Sequence, residues 1–552
     1  MRAKKNNSEF RIPNSEFIKR AAIILLVTAM LLAVPACSKN SQSDRDKLRE
    51  DLYGAVELGG NTEVENIFDM TTSNFTLPYD RGEPVNLNPF TCTSTLNETV
   101  GDLIYDKLIN INSEFGVDMV IAQSVEIKPE RPHIISVVLR SGVVFSDGAL
   151  LTGDDVKYSF DKAKESVKYK DQLASVTSCI PGENTADFRV ENVDKLAYML
   201  LDFPIIKAGS DIDGRVPIGS GRYYYYSDPE RGNFLLRNRK WYNTSAPKME
   251  RISLVAMPTV ESIIHSIEIG TVSYYYTDLR DGYPSRINAN YSTVDLNHLV
   301  FLGMNTFDPR LSQMEVREAM SLAIGREEVA TNAFSGRAYS ATGPFTASWP
   351  EAASVQYGSM QPNKAGALIN LINSGFVNVS EDYVRYHADG RRLSFSLLVS
   401  ATNAQHVAAA QSIKNQLAAM EININVYPIA LDDLQNRIAT GNYELYLGEY
   451  SMLSNMDITK LIVPGIGYYT GLLPEATCNA YQAYKGGMGT LGELVDAFEA
   501  DLPFIPLCYR LGIVCYTRSI LANMDVTKSN LFMGMEMWEN TQIESPADIT
   551  GQ

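Results

Sequence analysis

Residues 393–430 read LSFSLLVSATNAQHVAAAQSIKNQLAAMEININVYPIA, and the change of hydrophobic period inside them decides the fold class. HVAAAQSIKNQLAAM (406–420) places Val407, Ala410, Ile413, Leu417 and Met420 at spacings of three and four, the stripe of an amphipathic helix. Directly after it, Ile422, Ile424 and Val426 alternate with a period of two, as a strand does. LDDLQNRIAT is helical again through Leu431, Leu434 and Ile438, Gly441 ends it, and YELYLGEY (443–450) reads as a strand. Strand, helix, strand, helix, strand over 393–450 is an α/β unit with parallel or mixed strands. Further out, HIISVVLRSGVVFSDG (133–148) begins β-branched and ends in an Asp147-Gly148 turn. Thr152, with Asp154 and Asp155 behind it, caps a helix through VKYSFDKAKES. Residues 315–334 put Val316, Met320, Ala323, Ile324 and Val329 on one helical face.

With 552 residues the chain exceeds what one growing core supports. Its 48 basic against 65 acidic residues give a net charge of −17, which argues against binding a phosphate backbone. Apart from two copies of NSEF (7–10 and 14–17) there is no internal repeat, which argues against solenoids and propellers.

The N-terminus reads as an address. AAIILLVTAMLLAVPA (21–36) is uncharged, Lys19-Arg20 precede it, and it stops short of the ~20 apolar residues of a membrane span. Removing residues 1–36, six basic and two acidic, takes the net charge from −17 to −21. Glu9 and Glu16 in the NSEF copies are unusual for an export signal, so either translation starts further downstream or the repeat is a sequence artefact. SKNSQSDRDK after Cys37 has the polar composition of a tether, here taken as 37–59.

Motifs of chemistry are missing. No GxxxxGK[ST], no dinucleotide glycine loop, no HExxH and no GxSxG occurs, and the five His residues are scattered. The pairs Asp154-Asp155, Glu327-Glu328 and Asp432-Asp433 are adjacent, so their side chains diverge on a helix and imply no acid/base pair. No cofactor, metal site or catalytic residue is therefore expected. Cys92, Cys179, Cys478, Cys508 and Cys515 lack CxxC spacing and read as small apolar residues.

Several stretches resemble the extracytoplasmic solute-binding proteins of ABC transporters, in the peptide/nickel/opine-binding family. Val34-Pro35-Ala36-Cys37 is similar to a lipobox, which implies lipidation at Cys37. Leu87-Asn88-Pro89-Phe90 and Leu103–Leu108 resemble the family's opening strand and helix. Leu139-Arg140-Ser141-Gly142-Val143-Val144-Phe145-Ser146-Asp147-Gly148 followed by Thr152–Val156 resembles its long LRxGVxFxDGxxxTAxDV signature. Pro217–Tyr223 with Arg237-Asn238 resembles PxGTGPY…RN, with Arg222 in place of Pro. Asn305-Thr306, Val316-Arg317 and Ile324-Gly325-Arg326 resemble NT…VRxAxxxAIDR, with Gly325 in place of Asp.

The resemblance implies an α/β fold of two lobes joined by a hinge, with an additional inserted domain. Lobe I is then discontinuous (60–95, 212–285 and 490–540), the inserted domain is 96–211, and lobe II is 286–489. Solute would lie between the lobes. Peptide-binding relatives carry Trp-x-x-Asp in lobe II; the matching stretch here is Tyr450-Ser451-Met452-Leu453, which keeps an aromatic and loses the acid. Glu449 or Asp457 is then expected to supply a carboxylate, with Tyr450, Tyr509, Arg510, Tyr275 and Tyr276 as further ligand contacts. The implied partners are a peptide or other small polar solute, two membrane permease subunits, a separate ATPase and, through the lipid, the outer face of the membrane. The receptor itself is expected to be a monomer. A ligand-sensing receptor of the same fold and a secreted lipoprotein hydrolase are the alternatives.

Overall fold

The computed structural model describes residues 72–82, 85–212, 214–279, 287–355, 357–358, 360–541 and 543–544. The expected signal, Cys37 and the tether lie outside the described residues; among the described residues no helix is long and apolar enough to cross a membrane.

A seven-stranded mixed sheet organises the chain. Its centre is two long antiparallel strands, Asn290–Met304 and Phe504–Tyr516. Tyr274–Thr277 pairs the outer side of the second, and Ala338–Ser340 joins it at Cys508–Arg510. Beyond Asn290–Met304 lie Leu445–Ser451, Ser394–Ser400 and Asn423–Ile429 in that order. The last three run parallel, separated by helices Ala404–Ala418 and Leu431–Thr440, so the α/β unit expected from the period change is present. Gly441 ends the second helix at φ +70°, a conformation glycine adopts without strain. Residues 315–334 form two helices, Met314–Ala323 and Arg326–Ala333, in place of one continuous face. Ile324 turns extended between them, and Arg326 is drawn inward to donate to the carbonyls of Pro506 and Met360.

Two smaller sheets complete the other half. Thr76–Tyr79, Arg251–Ala256, Gly232–Arg237 and Tyr223–Asp228 form one; Ala122–Ile127, Ile134–Leu139, Thr185–Val190 and Val176–Pro181 form an antiparallel second. Helix Gly153–Glu165 packs on the latter, opened by a reciprocal capping box between Thr152 and Asp155. The Pro217–Tyr223 motif earns its glycines through backbone approach. A Cβ on Gly219 would fall 2.0 Å from the Ile104 carbonyl oxygen, and Gly221 N–H donates to that same oxygen at 2.9 Å.

Two large hydrophobic cores define the lobes. One gathers residues from 75 to 296 and 514 to 538, so the inserted segment shares its core with lobe I. The other runs from Leu299 to Tyr509. Helix Leu491–Asp501, expected with lobe I, buries Leu491, Leu494, Val495 and Phe498 in this second core. The two long strands pass from one core into the other. At the crossing their register slips between the pairs Asp295–Leu511 and His298–Arg510, and Asn297 adopts φ +53°. A bulge of this kind bends a strand and raises its local twist, which suits a hinge.

Candidate functional site

Between the two cores lies a cavity of about 1070 Å³. Its floor is the strand crossing, through Tyr276, Asp295 and Asn297. One wall comes from the segments 93–115, 167–172 and 524–531; the other from Tyr339, Ser348, 450–454, Lys460 and Tyr468. Both signs of charge line it, with Glu98, Asp171, Asp202 and Asp295 facing Lys107, Lys168, Lys460 and Lys528.

The sequence candidates divide by where the sheet register carries them. Tyr450 lines the cavity; its ring meets Tyr468 edge-on at 5.6 Å, and its hydroxyl donates to the Asp457 carbonyl at 3.0 Å. Tyr276 lines the floor. Tyr275, one residue earlier, alternates to the other side of the strand and packs with Ile263, Ile267 and Ile513. Tyr509 is fully buried, stacked on Tyr339 at 5.7 Å and donating to the Pro344 carbonyl at 2.8 Å. The Asp457 carboxylate accepts from Tyr481 OH at 2.8 Å and from Thr459 N–H at 2.7 Å, and it is not part of the cavity lining.

Glu449 and Arg510 meet each other. Arg510 is 2% exposed and donates from Nη1 to Glu449 Oε1 at 2.6 Å and from Nη2 to the Asp278 carbonyl at 2.8 Å. His298, 1% exposed, donates from Nδ1 to the same carboxylate at 3.1 Å, and His406 donates from Nε2 to Oε2 at 3.2 Å. His298 Nε2 faces Ser451 Oγ at 2.9 Å and Lys528 Nζ at 3.3 Å. Burial opposes ionisation of Glu449, but the two imidazole donors and the guanidinium outweigh it and hold the carboxyl far below its ordinary range. This is an internally compensated ion pair behind the strand crossing. Sequence inspection named both of its charged members and missed the histidines; the available signal was a His inside the apolar run LNHLVF (296–301).

The two sides also touch across the cavity. Asp194 Oδ2 accepts from Lys485 Nζ at 2.7 Å and Asn455 Nδ2 at 2.8 Å, and Lys195 N–H donates to the Lys485 carbonyl at 2.8 Å. Lys195 Nζ lies 3.6 Å from the centre of the Tyr484 ring. Lys460 pairs with Asp171 at 3.0 Å. Among the described residues no group of three or more His, Cys, Asp or Glu side chains is placed to hold a metal ion.

Comparison with known proteins agrees with this architecture. The chain is 21% identical over 453 residues to the oligopeptide-binding protein AppA of Bacillus subtilis, covering 77% of this chain and 79% of that one. It is 23% identical over 300 residues to the glutathione-binding protein GsiB of Salmonella paratyphi A, covering 51% and 58%. The crystal structure of a nickel ABC transporter protein from Bacillus halodurans superposes with a TM-score of 0.69 at 16% identity, covering 85% of this chain and all of that one. Residues 121–460 match the bacterial extracellular solute-binding proteins, family 5 Middle. The match covers more than half of the sequence, and the chain belongs to the family 5 extracellular solute-binding proteins of ABC transporters.

Proposed function

We propose that this protein is a lipid-anchored receptor that captures an oligopeptide between its lobes and delivers it to an ABC importer. The observation that carries the reading is the cavity of about 1070 Å³ at the strand crossing, which presents both signs of charge. A zwitterionic chain with hydrogen-bonding groups along its length complements such walls. Tyrosines 276, 339, 450 and 468 add flat apolar area with polar edges, suited to side chains of varied type. The name of the Bacillus subtilis relative supports a peptide, and glutathione, the ligand named for the Salmonella one, is itself a small peptide. Cys37 at the end of the 21–36 apolar run would carry the lipid, holding the receptor beside its permease on the outer face of the membrane. The receptor acts as a monomer in this reading.

The test is uptake of isotope-labelled oligopeptides by cells with and without the gene. Loss of uptake on deletion, and its restoration by the wild-type chain, is the expected result. Unchanged uptake would contradict delivery, and binding without any effect on uptake would favour the ligand-sensing alternative. Cys37→Ser should release the protein from the membrane fraction; continued membrane association would contradict the anchor.

A further inference from the structure

The peptide reading leaves open what receives the positive end of the solute. Glu449 and Asp457, the acids nearest the stretch where peptide-binding relatives place theirs, are both engaged inside the protein: Glu449 by Arg510 and two imidazoles, Asp457 by Tyr481 and Thr459. Of the acids that line the cavity, Glu98 is paired with Lys168 at 2.9 Å and Asp171 with Lys460 at 3.0 Å.

Asp295 differs. It stands on the cavity floor at the last paired position before the bulge. Its Oδ2 accepts from Tyr339 OH at 2.6 Å and Ser348 Oγ at 2.7 Å, and its Oδ1 accepts from Asn297 N–H at 2.9 Å. Thr346 Oγ1, 2.6 Å from the Tyr339 hydroxyl, fixes that donor in turn. Every one of these donors is neutral, and no Lys, Arg or His among the described residues forms an ion pair with Asp295. The carboxylate is therefore oriented but not compensated, inside a cleft that closure would dry. Enclosing such a charge is unfavourable unless a cation arrives with the solute.

A second observation points the same way. Asn297, two residues on, lines the same cavity, is only 4% exposed, and its Oδ1 is buried without a hydrogen-bond donor. A buried acceptor left in this state is costly, and a group rich in N–H would relieve it.

We propose that Asp295, together with Oδ1 of Asn297, seats the ammonium group of the solute, which for a peptide is its free amino terminus. The assignment rests on the peptide reading of the cavity. An ammonium offers three N–H donors and a full positive charge, so it answers the uncompensated carboxylate and the unpaired amide oxygen at once. The amino end then lies at the hinge, where its charge is buried as the lobes approach, and the remaining peptide extends between the walls.

Native mass spectrometry of the purified full chain tests this with an equimolar pool of tri- to pentapeptides, supplied either with free amino termini or fully N-acetylated. The free pool should be retained and the acetylated pool weakened about 30-fold or more, the consequence of removing one partner from a buried charge pair. Asp295→Asn, which keeps an oxygen for Tyr339 and Ser348, should weaken the free pool by a similar factor and leave the acetylated pool unchanged. Equal retention of both pools by the wild type, or undiminished retention by Asp295→Asn, overturns the assignment while the peptide reading stands. Retention of neither pool by the wild type overturns the peptide reading and this assignment with it. The comparison of the two pools on the wild type does not depend on how well the variant folds.

Discussion

At the scale of single residues, Glu449, expected from sequence as a ligand carboxylate, is engaged inside the protein by Arg510, His298 and His406. It joins Arg510, 61 positions away, only because strand Leu445–Ser451 lies beside Asn290–Met304 and that strand beside Phe504–Tyr516. Glu449→Gln leaves a guanidinium that is 2% exposed without its counter-charge. It should cost about 3–5 kcal/mol in urea unfolding at neutral pH, while a paired apolar replacement of Glu449 and Arg510 should recover much of that loss. The folded carboxyl titrates below its unfolded value of about 4.3, so its contribution is complete above that pH and is lost as the pH falls from there. The stability gap between wild type and Glu449→Gln should therefore narrow below about pH 4.3; a gap that stayed constant to lower pH would contradict the pairing. Residue types alone could not separate this compensated pair from a ligand contact, because compensation depends on register. For the same reason Tyr275 and Tyr276 were indistinguishable as letters, and the pleat sends one to the cavity and the other into packing.

At the scale of elements, what was legible is what local rules determine. Helix Ala404–Ala418 and the strands on either side follow from period alone, and Thr152 and Gly441 mark their helix ends by capping chemistry. The family motifs were legible as well, and the structure gives them mechanical meaning. Arg317 donates to the carbonyls of Leu311, Ser312, Leu502 and Asp501, and Arg326 to those of Ser321, Met360 and Pro506, so both tie helices to the long hinge strand and its approach. Burial lowers the Arg326 guanidinium to about 10. The crossing itself was not legible, since it pairs strands some two hundred residues apart and its bulge is set by how two cores meet. Gly219 belongs to the motif class. Gly219→Ala puts a methyl carbon against backbone that cannot rotate away, and it should lower stability by about 3 kcal/mol, the upper end of ordinary overpacking. Calorimetric melting that matched wild type would show that the Ile104 turn can retreat.

At the scale of the molecule, the lobes are held by the hinge strands and by the contact centred on Asp194. Lys485 is mostly buried, burial pulls its ammonium below the ordinary value, and the carboxylate facing it belongs to the opposite side of the cavity. Asp194→Ala should therefore disfavour the closed arrangement. Because apparent affinity scales with the fraction of closed molecules, peptide binding should weaken by about tenfold or more in calorimetric titration. An affinity equal to wild type would remove the contact from the account of closure. The acidity of the whole chain says little about the solute, since the cavity carries both signs.

The most direct measurement is thermal melting of the full chain against an unmodified peptide pool, with nickel–histidine and an oligosaccharide as competitors for the assignment. A peptide present at 100 times its Kd should add about 2.7 kcal/mol of stability and raise the melting temperature visibly. Melting left unchanged by every peptide, with a rise on nickel–histidine or the oligosaccharide, would contradict the account.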